Sequence, residues 1–264
     1  MVKWISCLAS NQPLHVRVVP GAHINMTIPA EVKKILQQLR EKGFEAYIVG
    51  GCVRDFLLAS TKPAGEGGLG PKDWDVTTNA TPEQIQKVFP DSFYENNFLT
   101  VTARTGSKKP ELAEIEITTY RLEAKYSDKR HPDEVRYAQK LEDDLSRRDF
   151  TVNAIAMDEK KKIIDLFEGQ EDLDKKIIRT VGNAEERFNE DALRMLRAVR
   201  FATTLDFTIE DKTKEAIKNN SIWLEAVSKE RIRDEFVKII MSDRAADGIE
   251  LLRELSLLKY VIPQ

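Results

Sequence analysis

The chain predicts an α+β fold, with a mixed sheet unit first and an all-helical unit second. Three observations carry this. Residues 99–104 and 113–120 alternate apolar and polar side chains with the period of two that half-buried strands show. Ahead of them, Val32, Ile35, Leu36 and Leu39 fall at helical spacing. After residue 149 the pattern turns mainly helical, with 163–167 its one strand-like stretch.

In chain order, a helix is predicted over 29–42, with Gly43 at the C-cap position. A short buried strand at 46–49 ends at Gly50-Gly51, and helix resumes over 53–58. Residues 59–72 are rich in Gly, Pro and Lys and read as an inserted loop, followed by strand at 74–77. Thr81-Pro82-Glu83-Gln84 opens a helix with a capping box. Residues 122–146 are charged and lack a clean period, which predicts a mobile surface segment. Residues 1–25 carry no acid and read as a disordered leader, with Met26 an alternative start.

The bulk properties exclude several classes. The 264 residues suffice for one large or two modest domains. A net charge of −3 rules out nucleic-acid binding by overall charge, so such binding needs a local basic face. Cys7 and Cys52 form neither a disulfide framework nor a metal-ligand spacing, which suits a reducing compartment such as the cytoplasm. The acid-free leader is the one feature favouring an organelle, and it is Arg-poor. No apolar run approaches the ~20 residues that span a bilayer, so no membrane partner is expected. His15, His23 and His131 are scattered and make no metal pair.

Four clusters carry chemistry. In Gly50-Gly51-Cys52-Val53-Arg54-Asp55, two glycines between strand and helix admit close approach of a ligand, and Arg54 adds a donor for phosphate. A tight turn with a surface Arg explains the same residues. In Asp73-Trp74-Asp75, carboxylates two apart on a strand share a face and can converge on Mg²⁺. A solvated strand end is the bland alternative. Glu116 is a candidate third carboxylate, although Glu114 lies on the same face. The stretch 65–73 invites a P-loop reading that fails, because no Ser or Thr follows the lysine and no helix opens there.

The third cluster is Arg147-Arg148-Asp149-Phe150-Thr151-Val152-Asn153-Ala154. Arg148 could neutralise a triphosphate and Asp149 could accept from a ribose hydroxyl, with Asn153 lining the site. Asp149 reads equally as a helix cap. In the fourth, Asp191, Arg194, Arg197 and Arg200 recur every three residues, opposite a packed side of Leu193, Leu196, Val199 and Phe201. By composition alone this is an exposed face with an ion pair, worth a few tenths of a kcal/mol.

Taken together, GGCVRD, KDWDVTTNATPEQI, RRDFTVNAIA and EDALRMLRAVRFA, in that order and spacing, resemble the class II tRNA nucleotidyltransferase/poly(A) polymerase family over about residues 26–240. The resemblance implies a nucleotidyltransferase-type head at 26–176, a helical neck reading the base at 177–231, and the start of a helical body at 232–264. It implies that Asp73 and Asp75 bind the catalytic metals. Gly50, Gly51, Arg54 and Arg148 would face the nucleotide's phosphate and sugar side. Asp191 and Arg194 would pair with the base, Arg197 and Arg200 beside them. The block Glu230–Glu235 resembles a last motif, read as mainly structural.

The implied reaction is template-independent addition of CMP and AMP from CTP and ATP to the tRNA 3′ end, with Mg²⁺ as cofactor. Poly(A) polymerase, an inactive RNA-binding fragment and a small-molecule nucleotidyltransferase are the alternatives. Two departures stand out. The 59–72 loop is longer than the family pattern, and family members continue past the position of Gln264 into further helices. The second departure bears on the grip on tRNA rather than on chemistry. Whether all of CCA, CC alone or A alone is added is left open, with 122–146 the suspect region.

Overall fold

The computed structural model describes residues 27–60, 71, 73–95, 100–124 and 134–262. The 1–25 leader and nearly all of the 59–72 loop lie outside the described residues.

Helix α1 (Ala30–Glu41) buries Val32, Ile35, Leu36 and Leu39, the four residues whose spacing predicted it. Gly43 follows with φ +84, in the left-handed region where Gly alone carries no Cβ penalty. Strand β1 (Ala46–Val49) runs into helix α2 (Gly51–Ser60), and β2 is Asp75–Thr78. Helix α3 (Pro82–Val88) starts with both halves of the predicted capping box. Strands β3 (Ser92–Glu95) and β4 (Thr100–Arg104), helix α4 (Pro110–Ala113) and strand β5 (Glu114–Thr119) follow.

Within 122–146 the structure departs from the surface segment expected there. Strands β6 (Arg121–Ala124) and β7 (Glu134–Tyr137) pair antiparallel, and α5 (Leu141–Ser146) follows; residues 125–133 lie outside the described residues. The pattern gave no strand signal because this ribbon belongs to no larger sheet, with Leu122 and Tyr137 both exposed. A ribbon whose apolar side chains face solvent needs no alternation.

The mainly helical reading after residue 149 holds from Gly169 onward, and the strand-like stretch 163–167 does contain a strand, but the start of the segment needs correction. A single 3-10 turn (Thr151–Asn153) leads to β8 (Ile155–Met157) and β9 (Ile163–Asp165). Ala154 through Met157 are fully buried, so the segment is a continuous apolar run. A strand buried on both faces cannot be told from buried helix by period.

The main sheet has the order β3-β4-β5-β2-β1-β8-β9. Strands β2 and β5 are parallel and the other neighbours antiparallel, so the sheet is mixed, as expected. Then come α6 (Gly169–Lys175), β10 (Ile177–Ile178), α7 (Ala184–Glu190), α8 (Leu193–Leu205), β11 (Thr208–Ile209), α9 (Asp211–Asn220), α10 (Lys229–Ile240), α11 (Ala245–Glu254) and α12 (Leu258–Val261). The short pair β10–β11 is parallel.

One apolar cluster joins sheet and helices. Ile48, Val76 and Ile155 belong to it together with Leu196, Val199, Ile239 and Leu252. Phe150, just before the 3-10 turn, meets Phe201 of α8 edge to face at 5.7 Å. Burying side chains of this size contributes roughly 1.5–3 kcal/mol each. The contact fixes α8 against the chain segment that carries Arg147 to Asn153.

Candidate functional site

The site begins where β1 ends. Gly50 turns the chain with φ +85, and Gly51 opens α2. A Cβ on Gly50 would lie 2.9 Å from Arg148 Nη1 and 3.8 Å from Asp75 Oδ2. The glycine turn, Arg148 and Asp75 therefore meet at one point, although they are far apart in sequence.

Asp75 is the first residue of β2, while Asp73 lies in the bend before it. This corrects the expectation of a single strand carrying both: pleating does not align them. They are still neighbours, because the Asp73 charge acts on Asp75. Burial pushes the Asp75 carboxyl above the ordinary aspartate range and Asp73 adds to that, with Arg148 opposing. Asp75 has no hydrogen-bond or ion-pair partner for its carboxylate among the described residues. Parallel pairing puts Glu116 directly beside Asp75, whereas Glu114 sits opposite Arg104, 3.5 Å from its Nε. Register thus separates the two glutamates that alternation could not.

Among the described residues, no three acid, histidine or cysteine side chains gather as a ready metal cage. Asp73 and Asp75 nevertheless fit a divalent cation. They are two repelling carboxylates, one of them desolvated and unpaired, and Mg²⁺ characteristically takes one or two carboxylates plus phosphate oxygens.

Arg148 is held from behind. Its Nη2 lies 3.4 Å from Oδ2 of the fully buried Asp144, and its buried Nε has no hydrogen-bond partner. The next residue starts a different network. Asp149 accepts from Arg197 Nε at 2.8 Å and Nη2 at 2.5 Å, from the Phe150 N–H at 2.8 Å and from Asn153 Nδ2 at 3.2 Å. Burial alone would raise its carboxyl, but Arg197 outweighs this and holds it well below the usual range. These four donors match the roughly four acceptor positions of a carboxylate. Asp149 therefore does not cap the 3-10 turn, whose N-cap is Phe150, and in this structure it anchors Arg197.

Asn153 passes the network on, accepting from Arg54 Nη1 at 2.7 Å. Arg54 is 8% exposed, not the surface arginine of the bland reading. Its Nε binds Asp55, and its guanidinium stacks on Phe201 at 5.1 Å. Arg197 and Arg200 stack on the same ring at 5.4 and 4.0 Å. One phenyl ring thus organises three cations.

The fourth cluster differs most from its expected geometry. Helix α8 begins at Leu193, so Asp191 lies outside it, at the C-cap of α7, where its Oδ1 accepts from the Leu193 N–H. Asp191 pairs with Arg231 of α10 at 2.8 Å. Arg194 pairs with Glu190 at 2.6 Å and donates to the carbonyls of Arg187 and Arg147. The two predicted base readers are thus linked by backbone but not to each other by side chain, and Arg194 is buried rather than exposed. Arg200 lies 2.9 Å from Glu235, misaligned for a hydrogen bond; burial and then Arg197 bring its guanidinium down to about 10.

Sequence reasoning missed Asp144, Glu190, Arg231 and Glu235. Arg231 and Glu235 lie in the 230–235 block read as structural, and their alternation with Arg233 was the available signal. Asp144 was hidden in an acidic run, Glu142-Asp143-Asp144, with nothing to mark which member is buried.

Similarity to known proteins identifies the family. A family model described as "Poly A polymerase head domain" matches residues 46–179, and "Probable RNA and SrmB- binding site of polymerase A" matches 206–264. A CCA-adding enzyme of Ligilactobacillus salivarius is 48% identical over 240 residues, covering 88% of this chain and 55% of the relative. One from Lactococcus lactis subsp. cremoris is 45% identical over 234 residues, covering 88% and 55%. The structure of the Bacillus stearothermophilus CCA-adding enzyme in complex with CTP superposes with a TM-score of 0.75 at 41% identity, covering 88% of this chain and 53% of that one. A Thermotoga maritima CCA-adding enzyme complexed with tRNA gives 0.71 at 25% identity, covering 91% and 55%. The chain spans about half the length of the curated relatives it matches. Four ordered motifs, a mixed-sheet head and these relatives lead to one conclusion: the chain belongs to the class II tRNA nucleotidyltransferase/poly(A) polymerase family.

Proposed function

We propose that this chain adds CMP and AMP, from CTP and ATP, to the 3′ end of tRNA. The observation that carries this is the junction at Gly50, where a half-buried, unpaired carboxylate, an arginine and a glycine turn converge. The RNA 3′-hydroxyl oxygen bonds to the α-phosphorus, the bond from that phosphorus to the bridging oxygen breaks, and pyrophosphate leaves. Mg²⁺ held by Asp73 and Asp75 would stabilise charge on the attacking and leaving oxygens. Glu116, beside Asp75, completes the acidic edge.

Arg148 and the Nη2 of Arg54, which lies beside Gly51, meet the phosphates with the Gly51 N–H; the Gly50 N–H already donates to the Ile155 carbonyl. Asn153 lines the sugar side, while Asp149 holds Arg197 in place. Asp191 and Arg194 read the base with the acceptor and donor positions that Arg231 and Glu190 leave open. Cytosine and adenine each offer an amino donor beside a ring acceptor, and this matches. Uracil and guanine offer the reverse. In this reading the head runs over 26–176, the neck over 177–231, and 232–264 begins a helical body. The buried free thiol of Cys52 suits the reducing cytoplasm. No helix among the described residues is long and apolar enough to cross a membrane.

The test is extension of tRNA ending in its discriminator base, with each labelled nucleotide alone and in pairs. CTP alone should add C and stop, and ATP should then add a single A. Addition of C without A, or of A only to a CC end, would define a partial activity. Long A tails would identify a poly(A) polymerase instead. No incorporation at all would overturn the proposal.

A further inference from the structure

Asp144 is wholly buried in α5 and belongs to none of the residues assigned above. Its carboxylate gathers donors from two directions. Arg147 binds Oδ1 through Nε at 3.0 Å and Nη2 at 2.7 Å. On Oδ2, the Thr77 hydroxyl donates at 3.1 Å and Arg148 Nη2 at 3.4 Å. Thr77 lies two residues after Asp75, so it stands on the same face of β2. Asp144 therefore ties the strand that carries the acidic edge to the arginine facing it.

The contact decides where the Arg148 charge goes. Arg148 has two carboxylates within reach of its field, Asp75 and Asp144, and its hydrogen bond goes to Asp144. Nη1 is left above Gly50, beside Asp75 Oδ2. Without the rear carboxylate, nothing described would keep the guanidinium from closing onto Asp75, and its donors would no longer face an incoming phosphate.

We propose that Asp144 is a positioning residue that acts through Arg148, holding its guanidinium back from Asp75 and aimed at the phosphates of the nucleotide. This rests on the reading of Arg148 as a phosphate ligand. Among the described residues, the Asp144 carboxylate itself touches neither Asp191 nor Arg194, and its one link toward the base end runs through Arg147. Arg194 contacts the backbone carbonyl of Arg147, which belongs to the C-cap of α5 and not to the carboxylate.

The experiment is equilibrium binding of CTP, inorganic pyrophosphate and cytidine to the wild-type chain, Asp144→Asn, Arg148→Lys and the double variant. A charge-assisted contact of this kind is worth roughly tenfold or more in affinity. Asp144→Asn should weaken CTP and pyrophosphate by the same factor, about tenfold, and leave cytidine unchanged. It should also raise KM for CTP without moving KM for tRNA. In the double variant the Asp144 change should add nothing to the loss from Arg148→Lys. Thr77→Val, which loosens the same oxygen, should reproduce a smaller loss with the same pattern, and it decides the matter if Asp144→Asn fails to fold.

Folded Asp144→Asn that binds pyrophosphate like wild type would overturn the proposal. So would equal losses for cytidine and CTP, or losses that multiply in the double variant. Wild-type protein that takes neither CTP nor pyrophosphate would overturn the functional reading itself, and this inference with it.

Discussion

Asp75 is a half-buried and Asp149 a buried carboxylate, and they are treated differently. Asp149 has four donors and is held below the usual carboxylate range by Arg197. Asp75 has no hydrogen-bond or ion-pair partner for its carboxylate among the described residues and is pushed up by burial and by Asp73. A buried charge normally finds its partner within the fold, because leaving it alone costs several kcal/mol. Asp149 follows that rule and serves architecture. Asp75, half-buried, partly desolvated and without a partner, departs from it, as a carboxylate open to an external cation and phosphates would.

The largest way to test this contrast is to remove the acidic edge. Asp73→Asn or Asp75→Asn should reduce nucleotide addition by at least ~10³-fold with the fold intact, the scale seen when a key charge-stabilising group is lost. Rates at saturating Mg²⁺ within tenfold of wild type would break the comparison. Asp149→Asn should do the opposite kind of damage. It strands the Arg197 charge, and because that side chain is a third exposed the loss should be about 1–3 kcal/mol, the scale of leaving a charged hydrogen-bond partner unmatched. Urea unfolding midpoints measure this, and a change under 1 kcal/mol would show that Asp149 is not an anchor.

A third test addresses base choice. A site that leaves buried polar groups unpaired with the wrong base can reject it by ~10⁴-fold. Asp191→Ala should erode the rejection of UTP and GTP by roughly 10²-fold, because an absent acceptor no longer repels a carbonyl. Arg231→Ala should erode it less, by loosening Asp191. Equal loss for all four nucleotides would make Asp191 a structural partner of Arg231 only.

The smallest effect expected is on acid stability. For both Asp144 and Asp149, burial alone would raise the carboxyl, yet flanking arginines (Arg147 and Arg148, and Arg197) lower it overall. A depressed folded-state value contributes stability that is complete above the unfolded value near ~3.9 and is lost as pH falls through the folded one. Unfolding midpoints should therefore hold steady above about pH 5 and decline below about pH 4. Asp149→Asn should flatten that decline, and an unchanged slope would contradict the assignment.

The sheet and the site differ in how much of them could be read from the chain. Strands whose residues alternate in polarity, such as β4 and β5, announce themselves by that alternation, and α3 by its capping box. Strand β8 does not, being apolar on both faces, nor does the β6–β7 ribbon, whose Leu122 and Tyr137 are exposed. The Gly50, Arg54, Asp75 and Arg148 cluster was legible because motif order brought it together. Pairing was not. Spacing put Asp191 and Arg194 on one helix, but the chain breaks between α7 and α8, and the partners come from α10 and from Glu190. Side-chain partners from distant segments leave no local period. For the same reason the acidic run 142–144 hid the one member that matters.

The central claim is that Asp75 is kept unpaired for a ligand at a cost to the fold. Thermal unfolding of wild type and Asp75→Asn, each alone and with Mg²⁺ plus a non-reactive CTP analogue, tests it most directly. Asp75→Asn should melt a few degrees higher than wild type when both are alone, since a desolvated charge is gone. The ligands should then raise the wild-type midpoint and leave the variant almost unmoved, because stabilisation follows binding to the folded state. A variant that melts below wild type, or gains as much from the ligands, would contradict the account.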